Sequence, residues 1–158
     1  MITLRDFRIG DEPALRAVFE SAIHETARRD YSQLQVDTWA PRDHDAAAWA
    51  QRVRGIAPFV ALVDDRVVGY ADVQPSGYID HFFVAASAGK QGVGGVLMRR
   101  IHERAAELGL LALTSEVSRT AQPFYLHFGF EVVDHHVNVV RGVELQYAAM
   151  RKPLRDAP

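Results

Sequence analysis

Two spacings of apolar residues alternate along this chain, and each predicts a different element. "ITLRDFRI" puts Ile2, Leu4 and, after a slip, Phe7 and Ile9 at nearly alternating positions, which predicts a first strand. The period then lengthens. Leu15, Val18, Phe19, Ala22 and Ile23 make one stripe at helical spacing, so "GDEPALRAVFESAIHETARR" predicts a helix with Asp11 as N-cap and Pro13 in its first turn. "YSQLQVDTWAPRDHDAAAWAQRVRG" predicts one short helix, a break at Pro41 and a second helix ended by Gly55.

From Phe59 the short period returns. "FVALV", a turn at Asp64-Asp65-Arg66 and "VVGYADVQ" predict a hairpin; "PSG" at 75–77 predicts another turn, followed by the strand "YIDHFFV". Val93, Leu97, Ile101, Ala105 and Leu108 stripe a helix that stops at Gly109, and "LLALTSEV" reads as the next strand. A helix separates that strand from "YIDHFFV", so the two are expected to lie parallel in a right-handed βαβ unit. "TAQPFYLHFG" gives a short helix despite Pro123, and "FEVVDHHVNVV" and "VELQYAAM" pair around Arg141-Gly142. The order β-α-α-α-β-β-β-α-β-α-β-β predicts an α+β fold: a mixed, mostly antiparallel sheet flanked by helices, with one βαβ crossover.

Composition leaves that picture intact and removes several functions from it. At 158 residues the chain is expected to form one domain, 1–158, large enough to bury a core without metals or crosslinks. Its 48% hydrophobic and 24% charged content is ordinary for a soluble protein, and a net charge of −2 gives no electrostatic case for nucleic acid or a membrane as partner. With no cysteine, disulfides, Cys-based metal sites and a Cys nucleophile are all excluded. No apolar run approaches the ~20 residues of a membrane span, and "MITLRDFRIGDEP" has no signal-peptide core, so a cytoplasmic protein is the expectation. The seven histidines do not suggest a metal: His135 and His136 are adjacent on a strand and point oppositely, and no His-x-x-x-His occurs.

The candidate chemistry lies in "GKQGVGGVLMRR", where four glycines fall within seven residues just where a helix must begin. No Gly-Lys-Ser/Thr follows, so the stretch is not a P-loop. A dinucleotide fingerprint begun at Gly92 ends on Leu97 instead of glycine. What remains is a G-x-G opening a helix directly after a strand. Free N–H groups there, backed by the helix dipole, suit a phosphate or pyrophosphate, with Arg99 and Arg100 facing either the same anion or solvent.

"YIDHFFVAASAGKQGVGGVLMRRI" resembles the acetyl-CoA motif of the GNAT acetyltransferase superfamily, Arg/Gln-x-x-Gly-x-Gly/Ala after the fourth strand. "TSEVSRTAQPFYLHFGF" is similar to that family's second landmark, a strand followed by a helix reading roughly A-x-x-F-Y-x-x-x-G-F. Both occur in order, and the predicted element order matches the family fold. The resemblance places the pyrophosphate on the loop Gly89, Lys90, Gln91, Gly92, Val93, Gly94 and Gly95, with Gly92 and Gly94 on the two glycine positions of the pattern. The family's Arg/Gln position holds Gly89, a departure that puts one side-chain contact in question, with Lys90 and Gln91 beside it. Ser118 stands where the usual Asn would be.

The resemblance implies acetyl transfer from acetyl-CoA to a primary amine of a small molecule or peptide, with no metal. The backbone of Phe82, Phe83 and Val84 would pair with pantetheine and supply the oxyanion donor. With no cysteine, direct attack in a ternary complex is favoured over an acyl-enzyme. Tyr125 matches the family's tyrosine and would protonate the leaving thiolate, unless it is a packed aromatic like Phe124, Phe128 and Phe130. Glu116 and Asp80, on the strands flanking the cleft, are the candidate general bases; a water chain is the alternative to both. Tyr31 and Trp39 fall where the fold builds its acceptor side, as pocket or as core. The resemblance also leaves room for a homodimer. Two other functions fit the same pattern: a domain that binds acetyl-CoA or CoA without turnover, and a partner-binding domain with a vestigial loop. A heat-stability shift with CoA separates these.

Overall fold

The computed structural model describes residues 1–154. Its strands are β1 (Ile2–Asp6), β2 (Phe59–Val63), β3 (Arg66–Ala71), β4 (Tyr78–Ile79), β5 (Phe82–Val84), β6 (Ala112–Ser118), β7 (Glu131–Val140) and β8 (Val143–Pro153). Its helices are α1 (Glu12–Ser21), α2 (Gln33–Trp39), α3 (Ala46–Ile56), α4 (Val93–Glu107) and α5 (Gln122–His127). The predicted α+β class and element order are observed, with β4 and β6 parallel across α4 and the other pairs antiparallel.

One expected strand is two. "YIDHFFV" breaks at Asp80-His81, and its halves join different sheets, ordered β1-β2-β3-β5 and β4-β6-β8-β7. Tyr78 and Ile79 pair with Thr114 and Ser115, whereas Phe82, Phe83 and Val84 pair with Ala71, Tyr70 and Gly69. A buried carboxylate holds the break. Asp72, 1% exposed, accepts the N–H groups of His81 (2.6 Å) and Asp80 (3.0 Å) and a bond from the Gln74 amide (2.6 Å). These bonds satisfy backbone donors that would otherwise be orphaned where the ladder changes partner. Burial raises the Asp72 carboxyl to about 6, against the opposing pull of the hydrogen bonds it accepts.

Alternation along β2 and β3 sends side chains into two cores. Val60 and Tyr70 face Leu15, Val18, Phe19 and Ile23 of the α1 segment and Trp49 and Val53 of α3. Ala61 and Ala71 face Val93, Leu97, Met98, Ile101 and Ala105 of α4. The α4 stripe is as predicted down to Ala105, while Leu108 lies just past the helix and is 39% exposed.

Several boundaries move. The first strand ends at Asp6 because the chain turns at Gly10 (φ +110), leaving Ile9 80% exposed. Asp11 precedes α1 but caps nothing; both its oxygens accept from Arg5, at 2.7 and 2.8 Å. The first helix stays α-helical only to Ser21, then widens into a π-turn over Ala22–Thr26 and tightens into a 3₁₀ turn over Ala27–Arg29. α3 runs through Gly55, and the left-handed residue that ends it is Ala57 (φ +45).

Candidate active site

The glycine loop forms an uncapped helix start. Gly92 is left-handed (φ +88), a conformation a side chain would strain, and no side chain caps α4. The first α4 bond closes only at Val96 N–H to Gly92 C=O (3.1 Å), so the N–H groups of Val93, Gly94 and Gly95 have no partner within the helix. Lys90, Gln91 and Gly92 are exposed, and Val93 is buried in the core, so only its backbone faces the loop. The other glycines differ in kind. A Cβ on Gly94 would lie 3.0 and 3.2 Å from the Phe124 ring; one on Gly95 would make ordinary contact with Phe128 at 3.9 Å; Gly89 is extended (φ −61) and uses no glycine-only conformation.

β5 offers the second backbone feature. Asp72 N–H donates to His81 C=O (3.1 Å) and Ala85 N–H to Val68 C=O (2.8 Å), which sets the phase of the ladder with β3. Phe83, opposite Tyr70, therefore turns its backbone to β3. Phe82 and Val84 turn theirs to the other edge, which no strand pairs among the described residues. The expectation that all three present free backbone groups is corrected to two.

That edge borders a cavity of about 240 Å³ between β5, the π-turn and α5, lined among others by Phe82, Val84, Gly94, Ser118, Phe124 and Tyr125. Tyr125 is 3% exposed and packs on Phe82, Phe124 and Phe130, with ring centroids 5.9, 6.0 and 4.9 Å away. It is both core and cavity wall. Burial pushes its hydroxyl far above the usual phenol range, so near neutral pH it keeps its proton and can serve as an acid but not as a base.

A second cavity, about 230 Å³, adjoins the first through Trp39 and Ser118 and is lined by Tyr31, Glu116, Asn138, Val140 and Tyr147 among others. Tyr31 is part wall and part tie: its hydroxyl donates to Gln146 C=O and accepts Arg119 N–H (2.9 Å), joining the chain before α2 to β8 and the loop after β6. Glu116 stands in this wall. Asp80 lines neither cavity; Arg52 grips both its oxygens at 2.8 and 3.0 Å. Tyr78, on β4 near both carboxylates, has its hydroxyl pushed up to about 12 by burial first and then by the charge of Glu116. Among the described residues no cluster of three or more His, Asp or Glu could hold a metal ion.

Sequence reasoning missed Asp72, the π-turn and Phe124 as the lid over Gly94. A carboxylate following the apolar run "VVGYA" was a signal for the first; nothing local encodes the other two.

Comparison with known proteins bears on the same features. The family described as acetyltransferase (GNAT) domain matches residues 27–152. The chain belongs to the GNAT acetyltransferase family. It is 30% identical over 141 residues to the uncharacterized N-acetyltransferase YafP of Escherichia coli K12, covering 89% of each chain. Among solved structures it is similar to a GCN5-related N-acetyltransferase from Rhodopseudomonas palustris, with a TM-score of 0.91 and 27% identity over 96% of this chain and 95% of that one. It shares the fold of PaiA N-acetyltransferase from Thermoplasma acidophilum, a coenzyme A complex, with a TM-score of 0.72 and 17% identity over 97% and 99% of the two chains. No described helix of this GNAT chain is long and apolar enough to cross a membrane.

Proposed function

We propose that this GNAT chain works as one acetyltransferase domain that moves an acetyl group from acetyl-CoA to a primary amine by direct attack. The observation that carries the reading is the unpaired β5 edge. It runs along a cavity that has the uncapped start of α4 at Gly94 on one side and the Tyr125 wall on the other. The residues fit the cosubstrate: N–H donors for a diphosphate at Val93, Gly94 and Gly95, and free N–H and C=O groups for pantetheine amides at Phe82 and Val84. When bound, acetyl-CoA supplies the activated acyl thioester.

The rest is done by the chain. Glu116 takes the proton from the ammonium, since a free alkylamine near ~10.4 is charged at neutral pH and has no lone pair to attack with. The N–H groups of the β5 edge stabilise the carbonyl oxygen as negative charge builds on it. The C–N bond forms, the C–S bond breaks, Tyr125 donates its proton to the departing sulfur, and the second proton shed by the acylated nitrogen restores the Tyr125 hydroxyl. No cysteine is present to form an acyl-enzyme. Asp80 is left to its ion pair with Arg52. Every group named comes from one chain, and use of acetyl-CoA suits the expected cytoplasmic setting.

The test is thiol release from acetyl-CoA across a panel of amines, run beside thermal unfolding with and without CoA. The reading predicts both turnover and a rise in melting temperature. A rise without turnover of any amine favours the binding domain, and neither result leaves the loop without a role.

A further inference from the structure

We propose that the acceptor is a small primary amine on an aromatic or alkyl skeleton with no carboxylate beside the nitrogen. This rests on the transferase reading above and specifies its second substrate. Among the described residues, the cavity that meets the thioester cavity at Trp39 and Ser118 has Glu116 as its one charged wall residue, and no Lys, Arg or His lines it. An ammonium entering there gains a counter-charge. An α-carboxylate travels with its amine, so an amino acid would set a second negative charge beside Glu116 with no cation in the wall to offset it. Arg141 reaches the backbone of the wall residue Thr38 and is spent on its C=O (2.7 Å), and the basic groove at Arg119, His135 and His136 shares only Gln146 and Tyr147 with this cavity. The Arg119 guanidinium is already engaged there, donating to Asp30 C=O (3.1 Å) and standing 5.9 Å from the Tyr31 ring centre.

The remaining walls choose the skeleton. Tyr31, Trp39 and Tyr147 present aromatic surface, and Val140 and Leu145 add aliphatic surface. Such walls attract a ring or alkyl chain and, through their π-faces, the ammonium itself. They offer no second carboxylate to the further charges of a polyamine. A cavity of ~150 Å³ accepts benzene, so about 230 Å³ accommodates a ring with a short aminoalkyl arm.

The experiment compares 2-phenylethylamine, hexylamine, phenylalanine and spermidine as acceptors in the thiol-release assay, with CoA-dependent thermal shift recorded in parallel. The expected result is a kcat/KM for 2-phenylethylamine at least about tenfold above those for phenylalanine and spermidine, with hexylamine nearer the former. Tyr147→Ala is expected to raise KM for 2-phenylethylamine by about tenfold while leaving KM for acetyl-CoA within about twofold, and Tyr147→Phe to restore it. A preference for phenylalanine or spermidine overturns the proposal. So does CoA binding with no turnover of either apolar amine, while the transferase reading stands on other acceptors. Absence of any CoA shift together with no turnover fells the transferase reading itself.

Discussion

The two cavities are nearly equal in volume, about 240 and 230 Å³, and share Trp39 and Ser118, yet they are built from different material. The first takes its hydrogen-bonding backbone, the edge of β5 and the start of α4, from one continuous stretch, and is otherwise walled by side chains of the π-turn and α5. The second is side chains brought from α2, β6, β7 and β8, elements far apart in the chain. A backbone site imposes glycines and a fixed element order on its neighbourhood, whatever passes through it. A side-chain site can change its lining without disturbing the fold. The difference suits an enzyme with one constant cosubstrate and one acceptor particular to this chain.

The largest expected effect comes from the wall of the first cavity. Tyr125→Phe keeps the ring packed on Phe82 and Phe130 and removes only the hydroxyl. Steady-state kinetics should show kcat lower by roughly 10²–10⁴-fold, with KM for acetyl-CoA little changed. Unchanged kcat in a folded variant would make Tyr125 core alone.

Glu116→Gln acts on the second cavity only. Its kcat/KM should fall by about 10²-fold near neutral pH and recover as pH approaches the amine's own ~10.4, where no base is needed. A pH–rate profile parallel to that of the parent would favour a water chain instead.

Gly94→Val acts on the first cavity only. Its side chain must displace the Phe124 ring, so calorimetry should show CoA binding weakened by more than about tenfold. Gly95→Ala, one residue along, makes only ordinary contact with Phe128 and should stay within about threefold. Equal losses at both would mean that the loop responds to any side chain and that the Phe124 lid is irrelevant.

How much of this was legible follows the same division. The α4 stripe, the glycine loop and "PFYLHFGF" are each short local patterns, so those parts of the first cavity's wall could be anticipated, but not the wall formed by residues 22–29. The break in "YIDHFFV" could not. Its alternation fits one strand, and what divides it is a tertiary bond from Asp72, eight and nine residues earlier. The ladder with β3 leaves the backbone N–H and C=O groups of Phe82 and Val84, but not those of Phe83, free on the cleft side. The α1 stripe likewise gives no hint of the π-turn, because a helix widens in response to its packing, here beside a Ser21 hydroxyl that accepts Ala86 N–H (3.0 Å). In the second cavity Tyr31 and Trp39 were anticipated from the fold, whereas Asn138, Val140 and Tyr147 depend on strand register across a hairpin.

The smallest effect concerns the break itself. The Asp72 carboxyl, raised to about 6, contributes stability that is present at low pH and lost as pH rises through 6. Buried His81, held below the usual imidazole range chiefly by desolvation, contributes the opposite: stability present above about 6.5 and lost as pH falls. The two act in opposite directions as pH falls from about 7 to about 5. Asp72→Asn keeps an acceptor for His81 N–H but removes one titration. Its melting temperature should therefore fall more steeply on acidification than the parent's, by roughly 2–4 °C. Parallel slopes would mean that Asp72 does not titrate in this range.

The central claim is that the free β5 edge and the uncapped α4 start together hold acetyl-CoA. Backbone amide resonances followed by NMR during a CoA titration test it most directly. The account predicts large shifts and slowed exchange at Phe82, Val84, Gly94 and Gly95, with Phe83, bonded to β3, much less affected. Saturable CoA binding that leaves Phe82, Val84 and Gly94 unmoved would contradict it.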